Sequence, residues 1–76
     1  MPISSELTEE LNILSRYNIA SAQEGIKVHH TAAPELVAAV KRLYSKGIVT
    51  QEDGGYLTDL GIETAEHIQK VVSILK

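Results

Sequence analysis

The sequence predicts a mainly α-helical fold with one short β-hairpin, in the order helix, short helix, helix, hairpin, helix. Three observations predict it. Apolar residues recur at three- and four-residue steps in three separate stretches, the periodicity of amphipathic helices. A β-branched run, Ile48-Val49-Thr50, precedes Asp53-Gly54-Gly55, and Tyr56-Leu57 follows, which reads as two strands around a tight turn. Thr58 then stands where a hydroxyl can cap a new helix, with Asp59 in its first turn. The 76 residues make a single domain spanning positions 1–76, with no room for a linker and a second core.

The first helix is expected from about Ser4 to Tyr17. Ser4 or Ser5 can cap its free N–H groups, and Glu6, Glu9 and Glu10 sit where the helix dipole favours negative charge. Leu7, Leu11 and Leu14 share one face, widened by Ile13 and Tyr17. Asn18 can take the left-handed conformation of a helix exit.

The next segment is harder to read. Ser21 followed by Glu24 matches a capping box and argues for a short helix from Ala22, although Gly25 costs it roughly 1 kcal/mol relative to alanine. Ile26-Lys27-Val28-His29 alternates as a strand would. A short, poor helix is preferred here, and residues 22–30 stay open between helix and strand.

From about Thr31 to Lys46 the helical signal is clear, with Thr31 or Ala33 as the entry. Pro34 is tolerated in the first turn, where N–H groups have no partner. Leu36, Val37, Val40, Leu43 and Tyr44 form the apolar stripe, with Glu35, Ala38, Arg42, Ser45 and Lys46 opposite. Gly47 ends the helix in the left-handed position. The glycine pair after Asp53 is read as the hairpin tip rather than a phosphate cradle. In the last helix Leu60, Ala65, Ile68, Val71, Val72 and Leu75 share a broad face, while Ile62 and Ile74 fall outside it. Glu66 and Lys70 are ordered for an i,i+4 pair, and Gly61 permits close packing of the helix start against the hairpin.

Composition narrows function. Ten acidic residues against seven lysines and arginines give a formal charge of −3, which weakly opposes nucleic-acid binding, because phosphate neutralisation supplies most non-specific affinity. There is no cysteine, so neither disulfides nor thiolate zinc sites can form. A chain this small is marginal alone, and oligomerisation is the remaining common support. No apolar run approaches the ~20 residues of a membrane span. "MPISSELTEE" lacks a basic start and an apolar run, so no signal peptide and a cytoplasmic location are expected.

Catalytic chemistry finds little footing. His29, His30 and His67 do not form a metal-ligand spacing, no Ser-His-Asp set can be assigned, and Glu63 and Glu66 are explained by Lys70. Tyr44 and Tyr56 are expected to anchor the core rather than stack on bases. No enzyme activity, cofactor, metal or small-molecule ligand is expected.

"ELVAAVKRLYSKGIVTQEDGGYLTDLG" resembles the second half of a winged helix-turn-helix domain. The resemblance covers roughly residues 21 to 67 and rests on Leu43, Gly47 and the Leu57-Thr58 step that closes the wing. The whole chain, including "AQEGIKVHHTAAPE" and "DGGYLT", is similar to a family of small uncharacterised bacterial proteins labelled as DNA-binding proteins or transcriptional regulators. The resemblance implies that the Thr31–Lys46 helix enters the major groove of double-stranded DNA while the wing touches the backbone. Lys27, His30, Lys41, Arg42 and Lys46 are then the DNA-binding candidates. Ala32, Ala33, Glu35 and Ala38 stand where base-reading Arg, Lys, Asn or Gln is usual, and Glu52 and Asp53 put acid on the wing. The alternative is a homodimeric interaction domain that keeps the shape without DNA binding. Its expected interface is Leu7, Leu11, Leu14, Ile68, Val71, Val72 and Leu75.

Overall fold

The computed structural model describes residues 3–17 and 25–76. The order is α1 (Ser5–Leu14), β1 (Ile26–Lys27), α2 (Pro34–Ser45), β2 (Val49–Gln51), β3 (Gly54–Leu57) and α3 (Asp59–Leu75). This is the expected mainly α architecture, with a hairpin wing between α2 and α3 in a winged-helix-like arrangement. No helix among the described residues is long and apolar enough to cross a membrane.

Capping chemistry sets where α1 starts. The Ser4 hydroxyl accepts the Leu7 N–H at 3.1 Å, satisfying one of the donors a helix start leaves open. The helix stops at Leu14, three residues before the expected end. Turn bonds then carry the chain on, from Arg16 N–H to Ile13 O at 3.1 Å and Tyr17 N–H to Leu14 O at 3.3 Å. Ile13, Leu14 and Tyr17 are all buried, so this exit is folded inward.

The short-helix expectation is corrected at Ile26 and Lys27, which form a strand. They pair antiparallel with β3, Ile26 opposite Gly55 and Lys27 opposite Gly54. The Val28 N–H continues this docking by donating to Asp53 O at 2.8 Å. Bonds to the hairpin outweigh a helix weakened by Gly25, and Val28 is buried while Lys27 and His29 face water. Asn18 and the Ser21–Glu24 capping box lie outside the described residues.

Of the two expected entries, Ala33 is the one used: it is the N-cap and α2 starts at Pro34, while the Ala32 N–H closes a turn on His29 O at 2.9 Å. Ala39, Val40 and Leu43 are its buried residues. Tyr44, placed on the stripe by periodicity, is exposed, and Ala39 takes the inward position instead. Gly47 has the expected positive φ, +78°.

The hairpin differs from expectation in one respect. The turn is Glu52-Asp53, and the two glycines open β3 rather than cap the tip. Sheet order is β1-β3-β2, so β3 is approached from both sides. Gly54 has φ +124°, and a Cβ there would stand 2.6 Å from Ile26 O. Glycine is thus required by the third strand as well as by the turn.

Thr58 caps α3 as expected, its hydroxyl oxygen accepting the Gly61 N–H at 3.0 Å. The same hydroxyl donates to Gly47 O at 2.6 Å, which locks the start of α3 to the end of α2. A Cβ on Gly61 would collide with the Ile48 carbonyl, so this glycine does allow the close packing read from the sequence. The core gathers α1, α2 and β2, with Ile13, Val40 and Val49 fully enclosed.

Candidate functional site

Two surfaces deserve comparison: the face of α2 that would meet DNA, and the face of α3 turned to water. Arg42 on α2 and Lys46 at its C-cap lie one helical turn apart. On α1, Glu6 and Glu10 do the same, so the two i,i+4 ladders meet where the helices pack. Arg42 Nε donates to Glu10 Oε2 at 3.0 Å, and Lys46 Nζ donates to the other oxygen, Oε1. Arg42 also reaches Glu6, with Nη2 donating to the backbone O at 3.1 Å and Nη1 lying 3.6 Å from the carboxylate.

Glu10 is 5% exposed, the buried charged residue among those described. Burial alone would raise its pKa, but the hydrogen bonds from Lys46 and Arg42, with their positive charge, outweigh that and hold it below the usual carboxylate value. Two carboxylates answer two cations, and the cluster carries no net charge. Arg42 and Lys46, expected to contact phosphate, are therefore engaged within the chain.

The other three predicted DNA contacts lie elsewhere. Lys27, His30 and Lys41 line a shallow groove together with His29, floored by Val28, Val37 and Val40 and closed by the acidic turn Glu52-Asp53. The structure thus splits the five candidates into a neutralised pair and a mixed-charge group. Glu35 and Ala38 are exposed at the start of α2, offering no base-reading donor. His67 lines a different groove, between α1 and α3, so the three histidines are not brought together. Among the described residues, no cluster of three or more His, Cys, Asp or Glu could hold a metal.

The tyrosine expectation is corrected. Tyr44 and Tyr56 are 44% and 49% exposed, whereas Tyr17 is 3% exposed. Its hydroxyl donates to Gly55 O at 3.1 Å, pinning α1's exit to β3, and burial pushes its pKa up to about 12.

α3 divides along its length. Gly61 and Ala65 are buried, and Ile68 packs against the core. Leu60, Val71, Ile74 and Leu75 remain 52%, 54%, 73% and 80% exposed. Of the interface candidates, Leu14 lies in the chain's own core, which removes it from any outer surface. Leu7 is half-buried, and Leu11, Ile68, Val71 and Val72 border the α1–α3 groove. The expected Glu66–Lys70 pair is not among the ion pairs of the described residues.

A family model described as a family of unknown function, DUF5669, matches residues 1–76. The chain belongs to DUF5669. No curated protein and no solved structure matches it. In this DUF5669 chain the features missed from sequence were the pairing of Glu10 with Arg42 and Lys46 and the bond from the Tyr17 hydroxyl to Gly55 O. A signal for Glu10 was present: two acids four apart on one helix match two bases four apart on another. Knowing that those helices pack side by side was the missing step.

Proposed function

We propose that this DUF5669 chain is a protein-interaction domain with a winged-helix-like shape that does not read DNA. One observation carries the reading: Glu10 and Glu6 occupy Arg42 and Lys46, the cations that α2 would present to phosphate. The wing turn adds Glu52 and Asp53, both unfavourable beside a phosphate backbone, and the chain as a whole is at −3. DNA affinity depends on free cations that displace counterions. Here Lys27, His30 and Lys41 are left to supply them, next to two acids. In this reading the domain carries no catalytic group, cofactor or metal, and α3's uncovered apolar flank supplies the contact surface.

Titrating a fluorescently labelled duplex at low and at physiological salt tests this. The expected result is no saturable rise in anisotropy at either salt. Saturable binding at low salt that weakens as salt is added would overturn the reading.

A further inference from the structure

The uncovered flank of α3 has a pattern of its own. Leu60, Thr64, His67, Val71 and Ile74 follow one another at steps of four, three, four and three residues. That is the spacing at which side chains return to one line on a helix and interlock with a second helix. The stripe is displaced by about a quarter turn from Gly61, Ala65 and Ile68, which face the domain's own core. α3 is therefore amphipathic twice over, once for its own body and once for something outside it.

We propose that the outside partner is α3 of a second copy, lying antiparallel about a twofold axis along this stripe. The inference rests on the interaction-domain reading and names its partner. Charge selects this occupant and its direction. Glu63 and Lys70 flank the stripe on the same side, seven residues apart, and among the described residues neither has an ion-pair partner. An antiparallel copy sets Glu63 beside the partner's Lys70 and repeats the pair across the axis, as an isologous contact requires. The same register brings Leu60 against the partner's Val71 and Thr64 against the partner's His67. A parallel copy instead stacks His67 on the partner's His67 and leaves Glu63 and Lys70 facing apolar residues. α3 has 17 residues and is about 25 Å long. In this register the two copies overlap from Asp59 to Val72, with Ile74 just beyond the overlap, and burying Leu60 and Val71 stabilises both copies at roughly 25 cal/mol per Å² of apolar surface.

Sedimentation equilibrium on the full chain tests this. The wild type is expected at twice the 8.3-kDa chain mass at high micromolar concentration. Val71→Lys with Ile74→Lys is expected to be monomeric with an unchanged circular-dichroism spectrum, since both positions face water. Glu63→Lys weakens the dimer roughly three- to tenfold, and adding Lys70→Glu restores it. A monomeric wild type, or a dimer that survives the Val71/Ile74 double change, overturns the proposal. A dimer that needs Val71 and Ile74 but ignores the charge reversal overturns the antiparallel arrangement. None of these results bears on duplex binding, so this inference and the interaction-domain reading fail separately.

Discussion

α2 and α3 are both amphipathic and both packed on the same body, yet they end in opposite states. α2 buries Ala39, Val40 and Leu43 and has its late cations held by α1. α3 buries little beyond Gly61 and Ala65, and its second half keeps Val71, Ile74 and Leu75 in water. The difference lies in what each helix meets. α2 is flanked by α1 on one side and by β2 on the other, so its apolar stripe and its charges both find partners. α3 is anchored at its start by Thr58 and Gly61 and at mid-length by Ala65 and Ile68, while Val71, Ile74 and Leu75 beyond them stay exposed. An apolar stripe is a demand for burial that periodicity announces but cannot satisfy.

The comparison breaks most visibly under truncation. Leu43→Ala, in the buried stripe of α2, should cost about 2–5 kcal/mol in urea unfolding at fixed protein concentration. Leu75→Ala, on α3, should fall within about 0.5 kcal/mol for the folded protomer. Equal losses at the two positions would mean that α3 is packed like α2.

Gly61→Ala probes a place where α3 is held tightly against the body. The added methyl meets the Ile48 carbonyl, and the shift it forces should cost roughly 1–3 kcal/mol. A neutral result would show that the helix start is free to move, against the Thr58 lock.

Glu10→Gln sharpens the electrostatic side. It leaves Arg42 and Lys46 without their shared carboxylate, and partial exposure of Lys46 tempers the loss to about 1–2 kcal/mol near neutral pH. The pH dependence has a fixed sign. Because the folded-state pKa lies below the ordinary 4.5, Glu10's contribution is present above that value and disappears as pH falls through the folded pKa. Acid unfolding of the variant should therefore be flatter below pH ~4.5 than that of the wild type. Parallel curves would remove Glu10 from the account.

Tyr17→Phe gives the smallest of the losses at buried positions, about 0.5–1.5 kcal/mol from the lost bond to Gly55. The phenol's pKa is raised to about 12, so its neutral form stabilises the fold fully below the unfolded value of ~10 and that support is lost as pH climbs toward the folded value. The variant should lack this alkaline loss of stability, read by far-ultraviolet circular dichroism.

Local chemistry explains which parts were legible in the sequence. Ser4 and Gly47, and Thr58 in its capping role, act within four residues of the backbone groups they serve, and each was readable; the Thr58 bond to Gly47 O, eleven residues back, was not. Ile26-Lys27 was misassigned because its partner lies nearly thirty residues on, and pairing across that distance decides between two local readings of similar strength. Tyr44 and Tyr56 were misplaced for the same reason, whereas Tyr17, set on the apolar face of α1, is buried as expected. An aromatic on a helical stripe is apolar by position, and only the packing of α1 against β3 shows which one enters. The sequence offered five basic candidates as one set, and the division between the pair that Glu10 holds and the group around the wing groove was not legible in it.

The central claim is that the cationic ladder of α2 is neutralised from within by α1. The most direct measurement is a carboxyl carbon-13 NMR titration of Glu10 in the folded protein. The account predicts a midpoint below the ordinary 4.5, moving upward when Lys46 is changed to glutamine. A midpoint at or above that value, or one indifferent to Lys46, would contradict it.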